Sequence, residues 1–88
     1  MTFALRLKKS VAHDLKRIGQ PAAKKVWAAI HSKLLEDPRG AGKPLKGHAG
    51  VYWSSRVGEY RVLYTFSDAE VWVLVIRIAH RREVYRDL

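Results

Sequence analysis

Hydrophobic positions along this chain change their spacing twice. Phe3, Leu5 and Leu7 alternate with Thr2, Ala4 and Arg6, the period-two pattern of a short half-buried strand. From Val11 the spacing lengthens. Val11, Leu15 and Ile18 share one side of a helix behind Ser10, a candidate N-cap, and Gly19 supplies a stop that tolerates positive φ. Pro21 suits a first helical turn, and Ala22, Val26, Ile30 and Leu34, with Ala23 and Trp27 beside them, form a second apolar stripe ending near Glu36. A link of only Gly19 and Gln20 predicts an antiparallel helical hairpin laid on a sheet. Asp37 to Gly50 holds two prolines and four glycines, so it is read as the longest loop. Extended patterning resumes over Val51 to Arg56, turns at Val57-Gly58, continues over Tyr60 to Phe66, and returns after Ser67-Asp68-Ala69-Glu70 as Val71 to Ile78.

These elements predict an α+β fold: a small, mainly antiparallel, four-stranded sheet with a two-helix hairpin on one face, in the order β-α-α-β-β-β. The last strand is apolar on both faces, so it belongs in the middle of a sheet covered on both sides, or on one side by helices and on the other by a partner. Trp27, Trp53 and Trp72 each fall on an inferred buried face and are read as core. A chain of 88 residues accommodates one domain, here residues 1–88, and one small core.

Charge changes the picture more than length does. Seventeen Lys and Arg against eight Asp and Glu give a net charge of +9, which predicts attraction to a polyanion or an acidic protein, nucleic acid first. Residues 1–44 hold ten of the cations and three acids; residues 45–88 hold seven and five, but six of those seven cations are arginine. The guanidinium is the planar donor suited to gripping phosphate, so the second half is where a site is sought. There are no cysteines, which excludes a disulfide frame and a thiolate metal site, and His13, His31 and His48 are too scattered for a metal. The longest apolar run, Val71 to Ile76, is far short of the roughly 20 residues of a spanning helix. The start lacks the apolar region of a signal peptide, so the expectation is a cytoplasmic protein with no membrane association.

On extended strands Ser54 and Arg56 share a face, opposite Trp53 and Ser55, and Arg61 faces away from Tyr60, Val62 and Tyr64. If the aromatic sides meet the helices, Ser54, Arg56 and Arg61 project together from the other face. His80, Arg81, Arg82 and Tyr85 follow the last strand and return to that end of the sheet. Cations, a histidine and a tyrosine with hardly a carboxylate nearby suit a phosphodiester and not Mg²⁺.

The run Arg56-Val57-Gly58-Glu59-Tyr60-Arg61-Val62-Leu63-Tyr64, followed by His80-Arg81-Arg82-Glu83-Val84-Tyr85-Arg86, resembles the RelE/ParE toxin superfamily on its RelE side. The order of elements and the Lys43-Pro44-Leu45-Lys46-Gly47 loop agree with it. The resemblance implies a ribosome-dependent endoribonuclease, the toxin of a type II toxin-antitoxin pair, cutting mRNA in the ribosomal A site without a metal or other cofactor and neutralised by a RelB-like antitoxin. It carries the family's functional positions onto Ser54, Arg56, Arg61, Arg81 and Tyr85, with Lys43, Lys46 and Arg82 as further RNA contacts. Where relatives often have Lys or Arg this chain has Ser54, so one phosphate contact is absent or is supplied by Lys43 or Lys46. In the implied chemistry a base deprotonates the ribose 2′-OH, which attacks the phosphate to give a 2′,3′-cyclic product. Tyr85 or His80 could be the base, and His80 or Arg81 the acid. Two other readings stay open: a ParE-like poison of DNA gyrase that is not an enzyme, and a plain nucleic-acid-binding module.

Overall fold

A computed structural model describes residues 2–85. Its elements are β1 (Ala4–Leu7), α1 (Ser10–Ile18), α2 (Gln20–Ala29) running on into a π-helical segment (Ile30–Leu34), β2 (Lys43–Pro44), β3 (Trp53–Val57), β4 (Tyr60–Ser67) and β5 (Trp72–His80). One sheet contains all five strands in the order β1-β5-β4-β3-β2. β1 runs parallel to β5, and the other neighbours are antiparallel. The class is α+β as expected, with α1 packed on β5 and α2 on β3.

The sheet has five strands where four were expected. The added strand lies inside the stretch read as loop, Lys43 pairing with Ser54 and Pro44 with Trp53. Proline lacks an N–H, but β2 is the edge of the sheet, where an outward-facing imino nitrogen forfeits no ladder bond. Gly19 is the whole helical link: its φ of 88° is open to glycine, and α2 begins at the next residue. Ser10 is already helical and does not cap α1; the chain is turned into the helix by backbone, Val11 N–H donating to the Lys8 carbonyl at 2.9 Å.

The main core lies between the helices and one face of the sheet. Val11, Val26, Ile30, Leu34 and Leu35 meet Val62, Tyr64, Val73, Val75 and Ile78 there. Adjacent Leu34 and Leu35 are both buried because the last helical turn is wide, Leu35 N–H reaching the Ile30 carbonyl at 2.9 Å. Trp27 is not core: α2 turns Val26 and Ile30 inward and leaves Trp27 about a quarter turn round, 40% exposed and against the His31 ring. Trp53 and Trp72 are half-buried.

A bulge interrupts the alternation of the last strand. Leu63 pairs with Arg77 but Tyr64 pairs with Val75, so Ile76 is an extra residue that resets the alternation. Val73, Val75 and Ile78 consequently all face the helices, while Arg77 and Ala79 face the other way. Asp14 of α1 reaches this point and accepts the Ile78 N–H at 3.0 Å, a buried contact with no signature in the hydrophobic pattern. On the far side of the sheet Leu63, Ala79 and Val84 form a second small cluster, with Leu45 against it.

Candidate active site

The antiparallel register of β3 and β4 sets Arg56 directly across from Arg61, and Ser54 across from Leu63. Cross-strand partners share a face, so both guanidinium groups leave the sheet on the side without helices. Like charges directly opposite destabilise a strand pair, and among the described residues no carboxylate is paired with either arginine. β2 then adds a third cation, because Lys43 is the cross-strand neighbour of Ser54. A cavity of about 520 Å³ opens over this face, with Lys43, Lys46, Ser54, Arg56, Arg61 and Tyr85 in its wall and, among the described residues, no carboxylate.

The loop before β2 is pressed onto β3 to make the cavity's lip. Ser55 Oγ donates to the Ala41 carbonyl at 2.8 Å, and Tyr64 Oη donates to the Pro38 carbonyl at 2.6 Å. A Cβ at Gly42 would collide with the Ser54 carbonyl and the Tyr64 hydroxyl, so only glycine lets the loop approach this closely. Burial, with the Asp37 charge nearby, pushes the Tyr64 phenol well above its ordinary value. Arg39 fastens the same loop to the β4–β5 turn, its guanidinium 2.6 Å from Asp68 and over the Trp53 and Phe66 rings.

Tyr85 reaches the cavity from the opposite direction. After β5 the chain closes a turn, Glu83 and Val84 N–H groups donating to the His80 carbonyl at 2.8 and 3.0 Å. Val84, fully buried in the small cluster with Leu63 and Ala79, anchors that turn on the open face. The Tyr85 hydroxyl consequently lies 3.1 Å from Ser54 Oγ. The anchor has a signal in the sequence, because Val84 is one apolar residue among five charged neighbours.

Ser54, Arg56, Arg61, Tyr85, Lys43 and Lys46 are thus brought together, and His80, Arg81 and Arg82 are not among the residues lining this cavity. His80 pairs with Tyr60, packs edge-on against its ring at 5.8 Å, and borders a separate depression with Arg17 and Ile18 on the helical side. Arg81 is held at the β3–β4 turn, Nε 3.1 Å from Glu59 Oε2 and its N–H on the Glu59 carbonyl at 2.8 Å. The Arg82 N–H donates to His80 Nδ1 at 3.2 Å, and its side chain is exposed. Arg86, the last residue of the C-terminal motif, lies outside the described residues. Among those described, no cluster of His, Asp and Glu could hold a metal, and no helix is long and apolar enough to cross a membrane.

Residues 5–85 match the family described as the ParE toxin of the type II toxin-antitoxin system, parDE. The chain belongs to this toxin family. It is 35% identical to Toxin RelE of Mycobacterium tuberculosis over 77 residues, 88% of this chain and 79% of that one. With Toxin RelG of the same organism the identity is 29% over 86 residues, 98% of this chain and 99% of the other. The toxin-antitoxin complex RelBE2 from M. tuberculosis contains a chain that superposes with a TM-score of 0.84 at 27% identity, over 92% of this chain and all of that one. Isolated E. coli RelE shares the fold at a TM-score of 0.73 and 22% identity, over 89% of this chain and 83% of that one. The toxin is therefore RelE-like in sequence and in fold.

Proposed function

We propose that this toxin is an endoribonuclease that cuts mRNA in the ribosomal A site, leaving a 2′,3′-cyclic phosphate. The observation that carries the reading is the cross-strand pair Arg56 and Arg61, with Lys43 and Lys46, around a cavity without a carboxylate among the described residues. Four cations with no ion-pair partner among the described residues, converging on one concavity, fit a phosphodiester whose charge rises in the transition state. The same wall offers no carboxylate oxygens of the kind a catalytic Mg²⁺ requires. Tyr85, acting as its phenolate, takes the 2′-OH proton and becomes the phenol, the 2′-oxygen attacks phosphorus, and the bond to the 5′-oxygen breaks as Arg56 and Arg61 hold the phosphoryl oxygens. The departing 5′-oxygen takes a proton from an ammonium of the same wall, Lys43 or Lys46. His80 faces away and takes no part, and Arg81 joins only by leaving Glu59.

The cellular reading follows from charge. A toxin of net charge +9 acts in the cytoplasm on ribosome-bound RNA and is restrained by a cognate RelB-like antitoxin, an acidic or amphipathic segment ordering on its surface. Complexes of RelE with RelB among the structural relatives support that partner. Induction in cells, followed by mapping of RNA ends, tests the reading. Codon-phased mRNA breaks ending in cyclic phosphate support the nuclease. DNA breaks with intact mRNA identify a gyrase poison of the ParE kind instead, and salt-sensitive binding with neither lesion identifies a plain nucleic-acid-binding module.

A further inference from the structure

Among the described residues, Ser54 is the one uncharged polar side chain between the cations of the cavity wall and the Tyr85 hydroxyl. We propose that Ser54 is the positioning residue that aims the Tyr85 hydroxyl, and that it is not a phosphate ligand; the proposal rests on the nuclease reading. The two oxygens are 3.1 Å apart. Tyr85 sits on a turn and not on the sheet, and the residue is 47% exposed. Val84 fixes where its backbone lies, but the far end of the ring has no other hydrogen-bond partner among the described residues. The hydroxyl's aim therefore depends on Ser54, which sits half-buried on a paired strand.

The chemistry of serine suits this task in a way that lysine and alanine do not. A hydroxyl accepts a hydrogen bond from a phenol and, on rotating, donates one to a phenolate, so it keeps contact with Tyr85 before and after a proton moves. An ammonium only donates, and a methyl does neither. Ser54 is not needed as a charge, because the register sets Lys43 directly across from it and Arg56 two residues along the same face. That step is about 6.6 Å on an extended strand. It separates the group that receives the 2′-OH proton from the group that grips the phosphate.

The test compares Ser54→Ala, Ser54→Thr, Tyr85→Phe and the Ser54→Ala/Tyr85→Phe double variant in single-turnover cleavage on mRNA-programmed ribosomes. Ser54→Ala lowers the maximal rate about tenfold or more, as a misaligned reacting group does, and leaves the half-saturating toxin concentration unchanged. Ser54→Thr keeps most of the rate, and Ser54→Ala adds no further loss once Tyr85 is Phe. A raised half-saturating concentration at unchanged maximal rate makes Ser54 a phosphate ligand and overturns the proposal, as do losses that multiply in the double variant. Failure of the nuclease reading is recognised separately, by a wild-type toxin that does not cleave. In that case the ζ-carbon resonance of Tyr85 in tyrosine-labelled protein decides: it moves in Ser54→Ala and returns in Ser54→Thr if Ser54 orients the hydroxyl, and a resonance indifferent to both overturns the proposal.

Discussion

Strand β4 carries two chemistries on one backbone. Toward the helices it presents Val62 and Tyr64, both closed off from water within the main core. Toward the other side the alternate positions are Arg61 and Leu63, the first lining the cavity and the second buried under Val84. The covered face holds the fold together; the open face is packed where Leu63, Ala79 and Val84 meet, and over the cavity it carries Arg56 and Arg61, with which no carboxylate is paired among the described residues. Because side chains alternate, a change on one face need not disturb the other, and the two can be taken apart by mutation.

The largest effect belongs to the covered face. Leu34 is 2% exposed in the main core, and Leu34→Ala removes its methyl groups and leaves a cavity, at a cost of about 2–5 kcal/mol. Thermal melting shows the loss, and cleavage fails along with the fold. A smaller loss is expected at Tyr64, the residue that ties the covered face to the cavity's lip. Tyr64→Phe strands the Pro38 carbonyl and costs about 1–3 kcal/mol. The pH dependence identifies the cause. The Tyr64 phenol ionises near its ordinary 10.0 in the unfolded chain and higher in the folded one, so its stabilisation is complete below pH 10 and is lost as pH rises above it. Wild type and Tyr64→Phe should therefore draw together in denaturant midpoint above pH 10.

The smallest effect sharpens the comparison from the other side. His80 stands on the helical face against Tyr60, so His80→Ala should change the cleavage rate by no more than about threefold, the scale of a substitution away from the reacting atoms. Single-turnover rates on programmed ribosomes check this, and a collapse would place the proton chemistry on the wrong face for this account.

The alternation that separates the faces was also what made much of the molecule legible in the sequence. Period two over Tyr60 to Phe66 placed Arg61 away from the helices, and the same rule placed Ser54 and Arg56 beside it, where the register of β3 and β4 puts them. Local rules gave out where pairing at long range decides. β2 is two residues long and exists because β3 offers an edge, a fact absent from the Lys43-Pro44 dipeptide. The bulge at Ile76 depends on how β5 lies against β4, and it sets Ile78, not Arg77, toward the helices. His80 was grouped with Tyr85 by proximity along the chain, but the turn after β5 sends the two to opposite sides of the sheet. Trp27 falls on the face inferred to be buried, but its angular position on α2, next to Val26, leaves it 40% exposed.

The central claim is that the open face is a phosphate site that the fold does not need. Arg61→Ala tests it most directly, with cleavage on programmed ribosomes and thermal melting measured on the same preparation. Arg61 lies across from a second arginine without a paired carboxylate among the described residues, so its removal should leave the melting temperature within a degree or two. Loss of one electrostatic stabiliser of the transition state should lower the cleavage rate by about a hundredfold or more. A variant that melts like wild type and cleaves at an undiminished rate would contradict the account.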